Sequence, residues 1–82
     1  MQVEVFSIMD VKIGVFAQPF FSQTRASGMR AFFQACQDSS TMLGQYPHDF
    51  QLYHLGTFED GDGIFTCNKP ALLATGAQEL KA

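Results

Sequence analysis

Charge is what this sequence has least of. Charged residues make up 16% of the 82 positions, where a soluble domain normally carries about a quarter. Five Lys or Arg stand against eight Asp or Glu, for a net charge of −3 and a pI near 5.0. A strong sequence-independent nucleic-acid binder presents a basic face. The balance here disfavours that class, although it leaves room for a local basic patch. Cysteine is scarce too, since Cys36 and Cys67 are too few for a secreted disulfide scaffold. No charged leader runs into an apolar stretch, and no run nears the roughly 18 apolar residues of a membrane span. The chain is expected to be soluble and intracellular, with no membrane partner and with reduced thiols.

Signatures of chemistry are equally thin. His48, His54, Cys36 and Cys67 are scattered, and no Cys-x-x-Cys or His-x-x-x-His pair anchors a metal site. The two cysteines, each in an apolar stretch, read as core residues. Glu59-Asp60-Gly61-Asp62-Gly63 superficially resembles a calcium loop, but Cys67 to Pro70 do not supply the bidentate Glu that such a loop needs. Nothing in the spacing of Ser7, Ser22, Asp49 and His54 demands a catalytic arrangement, and no glycine motif cradles phosphate. The expectation is a protein that is not an enzyme and takes no cofactor.

What the sequence does have is apolar bulk: 46% hydrophobic residues, with nine Phe. Its length fits one domain, residues 1–82. A chain this small buries only roughly 60% of the surface its unfolded form exposes, and oligomerisation is a common remedy. Gln2 to Ile8 is rich in β-branched and aromatic residues and reads as a strand. After a turn at Met9-Asp10, Val11, Ile13, Val15 and Ala17 alternate with Lys12, Gly14, Phe16 and Gln18 as a hairpin partner that Pro19 ends. From Ser22 to Asp38 the period changes. Ala26, Met29, Phe33 and Cys36 form one stripe, widened by Phe32, and Ser22 or Thr24 can cap the helix. Gly28 inside it costs about 1 kcal/mol against Ala, so this helix must lean on packing.

Phe50 to Phe58 reads as the longest strand. Phe50, Leu52 and Phe58 are assigned to one face, with Tyr53 and Leu55 on the other, as in a central or partner-covered strand. The doubled Asp-Gly of Asp60 to Gly63 marks a hairpin, returning through Ile64-Phe65-Thr66-Cys67. Pro70 is suited to the first turn of a last helix that puts Leu73, Ala77 and Leu80 on one face. The predicted fold is α+β, a small antiparallel four-stranded sheet with two helices, in the order β-β-α-β-β-α.

Three stretches of the chain resemble a known family. Phe6 to Lys12 is similar to the opening strand and turn of the small non-structural protein of gokushovirus-type microviruses, phages with single-stranded DNA genomes. Pro19-Phe20-Phe21 is similar to that family's Pro-Phe-Phe step. Tyr46 to Asp60 resembles its Pro-x-Asp-Phe-x-Leu-Tyr-x-Leu-Gly-x-Phe-Asp signature, with Glu59 in place of the usual aspartate. The fourth strand is more apolar than the family's. The resemblance implies a non-structural phage protein, often labelled DNA-binding, in the host cell cytoplasm. By analogy with other microviruses it implies a role in genome replication or in the switch to packaging.

Binding single-stranded DNA requires cations for phosphate and aromatic faces for stacking. Phe16, Phe20, Phe21, Tyr46 and Tyr53 are the aromatics placed to reach a surface, and the plainer reading packs Phe20 and Phe21 beneath the helix. The cations are Lys12, Arg25, Arg30, Lys69 and Lys81. Arg25 and Arg30 lie about 140° apart around a helix and form no tight patch by themselves. The candidate DNA-binding residues are therefore Lys12, Arg25, Arg30, Lys69, Phe16, Tyr46 and Tyr53. The expected partners are single-stranded DNA and a second copy, as a homodimer. The alternative is a protein-interaction module acting on the phage replication initiator or procapsid without touching DNA.

Overall fold

The computed structural model describes residues 1–76, which form an α+β fold built on one curled antiparallel sheet. Its elements are β1 (Gln2–Asp10), β2 (Val15–Phe16), β3 (Phe20–Ser22), α1 (Arg25–Gln37), α2 (Met42–Gln45), a 3-10 turn (Pro47–Asp49), β4 (Phe50–Glu59) and β5 (Ile64–Thr75). The sheet order is β2-β1-β4-β5, and β3 pairs with β1 beyond the end of β2. Both β1 and β4 are thus central strands, and β5 is an edge.

The first hairpin turns later than the alternation suggested. β1 runs to Asp10, the turn occupies Val11 to Gly14, and only Val15 and Phe16 pair back onto Asp10 and Met9. The Asp10 carboxylate accepts from the Lys12 N–H at 3.0 Å, and Gly14 adopts φ +71°. The local hydrogen bond and the glycine favour a turn there over continued strand. The chain then crosses to β3, where Phe20 faces Phe6 and Phe21 faces Val5.

α1 is capped by Thr24, whose side chain accepts from the Ser27 N–H, while the Ser27 hydroxyl accepts from the Thr24 N–H. It packs on β1 and β3. The core beneath it comprises Phe6, Phe32, Cys36, Phe50, Leu52 and Ala74. Phe32 and Cys36 are the buried pair of the helix, with Met29 and Phe33 only partly covered. Gly28 is buried as well, because a Cβ there would overlap the Phe6 ring. Cys36 is a core residue as expected, whereas Cys67 lies exposed on β5, and no disulfide joins the two.

Three irregularities interrupt the sheet register, one of them at Leu73 of β5, which is skipped between the pairs Leu52–Ala74 and Tyr53–Leu72. Between Val5 and Phe6 the β1–β4 register shifts, so that Leu55 has no direct partner on β1. Opposite the same point, β5 skips from Cys67 to Ala71, with Asn68, Lys69 and Pro70 bulged out. The Asn68 side chain donates to the carbonyls of His54 and Lys69, at 3.1 and 2.7 Å. Gly56 follows the bulge at φ +147°, where a Cβ would strike the Thr66 carbonyl. Pro70 therefore sits in a bulge of an edge strand rather than opening a helix. Residues through Thr75 are strand, correcting the expected last helix at its start; Ala77 and Leu80 lie outside the described residues. The second helix of the described chain is instead α2, capped by Thr41.

Candidate nucleic-acid interface on the open face of the sheet

Side chains of a strand alternate between faces, and Phe6 fixes which face is which. Its ring lies under Gly28, so Phe6 and its row, with Ile8, Leu52 and His54, point toward α1. The odd-numbered residues of β1 point away. With them go their cross-strand neighbours: Phe21 opposite Val5, Phe58 opposite Val3, Tyr53 opposite Ser7, and Phe16 opposite Met9. Neither α1 nor α2 packs on this second face, and aromatic rings occupy it.

The rings form two groups. Phe16 meets Tyr53 edge to face, with centroids 5.3 Å apart and planes at 81°, and the Tyr53 hydroxyl donates to Gln51 Oε1 at 2.9 Å. Phe21, Phe58 and Phe65 form a triangle with centroid distances of 5.8, 6.1 and 4.7 Å. Phe21 is 50% exposed and Phe65 53%, so substantial ring surface stays in contact with solvent. A cleft of about 320 Å³ opens beside them, lined by Val5, Pro19, Phe21, Leu55, Phe65 and Cys67 among others. Ser7 is buried, and its hydroxyl donates to the Ala17 carbonyl at 2.6 Å, which ties down the segment between β2 and β3.

The structure brings some of the anticipated residues together and separates others. Phe16 and Tyr53 join in one pair. Tyr46 is exposed at the junction of α2 and the 3-10 turn, and touches no other aromatic ring among the described residues. Lys12 is exposed in the turn of the hairpin that carries Phe16, and Lys69 in the β5 bulge, three residues before Leu72, the cross-strand partner of Tyr53. Arg25 and Arg30 belong to α1, on the other layer of the molecule; Arg30 borders a shallow groove with Met29 and Phe33. None of these four cations forms an ion pair with a described residue. Lys81 lies outside the described residues.

Phe20 and Phe21 part company. Phe20 stacks on Phe6 at 5.4 Å on the helix side, as the core reading has it, while Phe21 points the other way and is exposed. Phe58 also departs from its assigned face, since the bulge at Leu55 moves it from the Leu52 row to the open one. Phe58 and Phe65 are thus absent from the anticipated residues, and Phe21, named among the aromatics placed to reach a surface, is set aside there in favour of the core reading. The adjacency of Phe20 and Phe21 within a strand was the available signal, for period two sends one of them outward.

Acidic groups mark the end of the open face at the β4–β5 turn. The Met1 amino group bonds to the Asp60 carboxylate at 2.7 Å and also to Glu59. The hydrogen bonds that the amino group donates to Asp60 and then Glu59 raise its pKa, and the same contacts lower those of both carboxyls. On the helix side, His54 is buried and its Nε2 lies 2.6 Å from Glu4 Oε1. Among the described residues no cluster of His, Cys, Asp and Glu could hold a metal, and no helix is long and apolar enough to cross a membrane.

Against known protein families, residues 3–79 match the one described as Phage ORF5 protein. No curated protein and no solved structure matches the chain.

Proposed function

The chain belongs to the Phage ORF5 protein family, and from that premise we propose that it binds single-stranded DNA, as a dimer, in phage genome replication or the switch to packaging. The observation that carries this reading is the open sheet face, on which Phe16, Tyr53, Phe21 and Phe65 present ring surface to solvent. Unpaired bases stack on such rings whatever their sequence, at about 1–3 kcal/mol per base, and a duplex hides the same surfaces. Lys12 and Lys69, without carboxylate partners among the described residues, are available to phosphate from the two strand elements that flank Tyr53. The likeness of Tyr46 to Asp60 to the gokushovirus signature supports a phage with a single-stranded genome. The role is binding rather than catalysis, and its setting is the host cytoplasm.

Few cations mean few released counterions. The slope of log K against log salt is about −0.7 per phosphate contact on single strands, so a dimer using Lys12 and Lys69 from each copy has a shallow slope. Fluorescence anisotropy with labelled oligothymidine, at low and moderate salt, tests the reading. Tyr53→Ala is expected to weaken binding by about 1–3 kcal/mol without changing the salt slope. Lys69→Glu is expected to weaken it by about 1 kcal/mol or more and to alter the slope. Arg30→Glu, on the other layer, is expected to do less.

One observation favours a second reading. The net charge is −3, and the two arginines are on the layer opposite the aromatic face. A protein-interaction module, bound to the replication initiator or procapsid through the same apolar face, needs no cations. Absence of binding to oligothymidine at about 20 μM protein in low salt, where non-specific binders already register, selects that module.

A further inference from the structure

The β4–β5 hairpin extends beyond the cover of α1, and its end is exposed on both sides. Ile64 and Phe65 are neighbours on β5 and therefore point to opposite faces, yet they are 57% and 53% exposed. Every residue from Ile64 to Leu72 is exposed. Among the described residues β5 pairs only with β4, so its outer edge presents unpaired backbone. The stretch Ile64 to Cys67, apolar or neutral and ahead of the bulge that carries Lys69 and Pro70, is a template for pairing with another strand.

The direction of the backbone groups can be read from the turn. The Asp60 N–H bonds to the Met1 carbonyl, on the β1 side of β4. Successive residues point their backbone groups to opposite edges, so those of Glu59 and Thr57 point to β5. Their partners Ile64 and Thr66 point back to β4. Phe65 and Cys67 are left facing outward.

We propose that this edge is where two copies of the chain meet, β5 pairing antiparallel with β5 of the second copy about a two-fold axis at Thr66. The inference deepens the dimeric part of the function proposed above by naming its surface. A second copy fits for reasons of charge. From Gly63 to Gly76 the only charged residue is Lys69, so self-pairing opposes no like charges. A two-fold at Thr66 brings the bulge that carries Lys69 toward the turn of the other copy that carries Asp62, and does so twice. Phe65 then lies opposite Cys67 of the second copy. The two aromatic triangles, which include Phe65, come side by side on one continuous sheet, extending the open face across the axis.

The test uses the whole chain without DNA, so its outcome is independent of whether DNA binds. Light scattering at micromolar concentration is expected to give twice the 9.1 kDa chain mass. Thr66→Cys in a Cys67→Ser background is expected to form an interchain disulfide under mild oxidation, because directly opposed residues fall within disulfide reach, about 4.4–6.8 Å between Cα atoms. Lys12→Cys in the same background, remote from the axis, is expected not to. Cys67→Pro removes one outward N–H per copy and so two hydrogen bonds per dimer. It is expected to raise the dimer dissociation constant about tenfold or more, with circular dichroism confirming that the chain still folds. A monomeric parent chain overturns the proposal, as does a dimer that the Thr66→Cys variant fails to cross-link.

Discussion

Replacing Gly28 by alanine sets two effects against each other, and the structure says which wins. In an exposed helix interior the change stabilises by about 1 kcal/mol. At this position the new Cβ overlaps the Phe6 ring. That ring cannot swing away, being fully buried, stacked on Phe20 at 5.4 Å and edge-on to His54 at 5.7 Å. Overpacking a filled core costs about 1–3 kcal/mol, and a ring held on two sides belongs near the upper end. The net expectation is a destabilisation of about 2 kcal/mol, which in a domain of this size lowers the melting temperature by roughly 8–16 °C. Urea and thermal melts followed by circular dichroism give the number. Ala31→Gly, at an exposed site on the same helix, should cost about 1 kcal/mol by propensity alone. In a Phe6→Leu background the sign should reverse and Gly28→Ala should stabilise, with a coupling energy within the roughly 0.5–3 kcal/mol seen for residues in contact. A rise in stability on Gly28→Ala in the parent chain would refute the reasoning.

Leu52, fully buried in the core cluster, should lose about 2–5 kcal/mol on truncation to alanine, measured by urea unfolding. Glu4→Ala strands the buried His54 imidazole without its carboxylate partner, at an expected cost of about 1–3 kcal/mol in the same assay. The clamp of the Met1 amino group on Asp60 and Glu59 should show in the pH dependence of hydrogen exchange at the base of the β4–β5 turn. The carboxyl pKa values are lowered by folding and that of the amino group is raised. The clamp is therefore complete between the ordinary carboxyl and amine values, is lost as pH falls through the lowered carboxyl values, and is lost again as pH rises through the raised amine value. Exchange rates there that show no protection across that window, beyond the intrinsic pH trend, would count against the clamp.

Local chemistry made part of this fold legible in the sequence. The doubled Asp-Gly marks a turn at Asp60 to Gly63, where the β4–β5 hairpin reverses. Thr24 can accept a backbone hydrogen bond and does so, and the switch from period two to a helical stripe after Ser22 announces α1. Features that depend on two segments meeting could not be read the same way. Gly28 looks like a cost until Phe6 is known to lie beneath it. Pro70 is as well suited to a helix start as to a bulge on an edge strand, where its missing N–H does no harm, and only the pairing of β4 with β5 decides. The bulge at Leu55 is signalled in the sequence by the neighbouring Gly56 alone, an isolated glycine inside a strand pattern, yet it shifts the phase of everything after it, which is why Phe58 lies with Phe21 and not with Leu52. For the candidate site, Tyr53 and Phe16 could be named in advance, but their contact could not. The arginines were legible as cations, while their position on the opposite layer depended on how the helix docks.

The central claim is that single-stranded DNA lies on the open aromatic face, and a titration of the protein with oligothymidine, followed through its aromatic and amide NMR signals, tests it most directly. The account predicts that the ring signals of Phe16, Tyr53, Phe21 and Phe65 move together with the amides of Lys12 and Lys69. The signals of α1 from Arg25 to Gln37 should stay in place, and a duplex of the same length should produce much smaller changes. Shifts confined to α1, or none at all at about 20 μM protein in low salt, would contradict it.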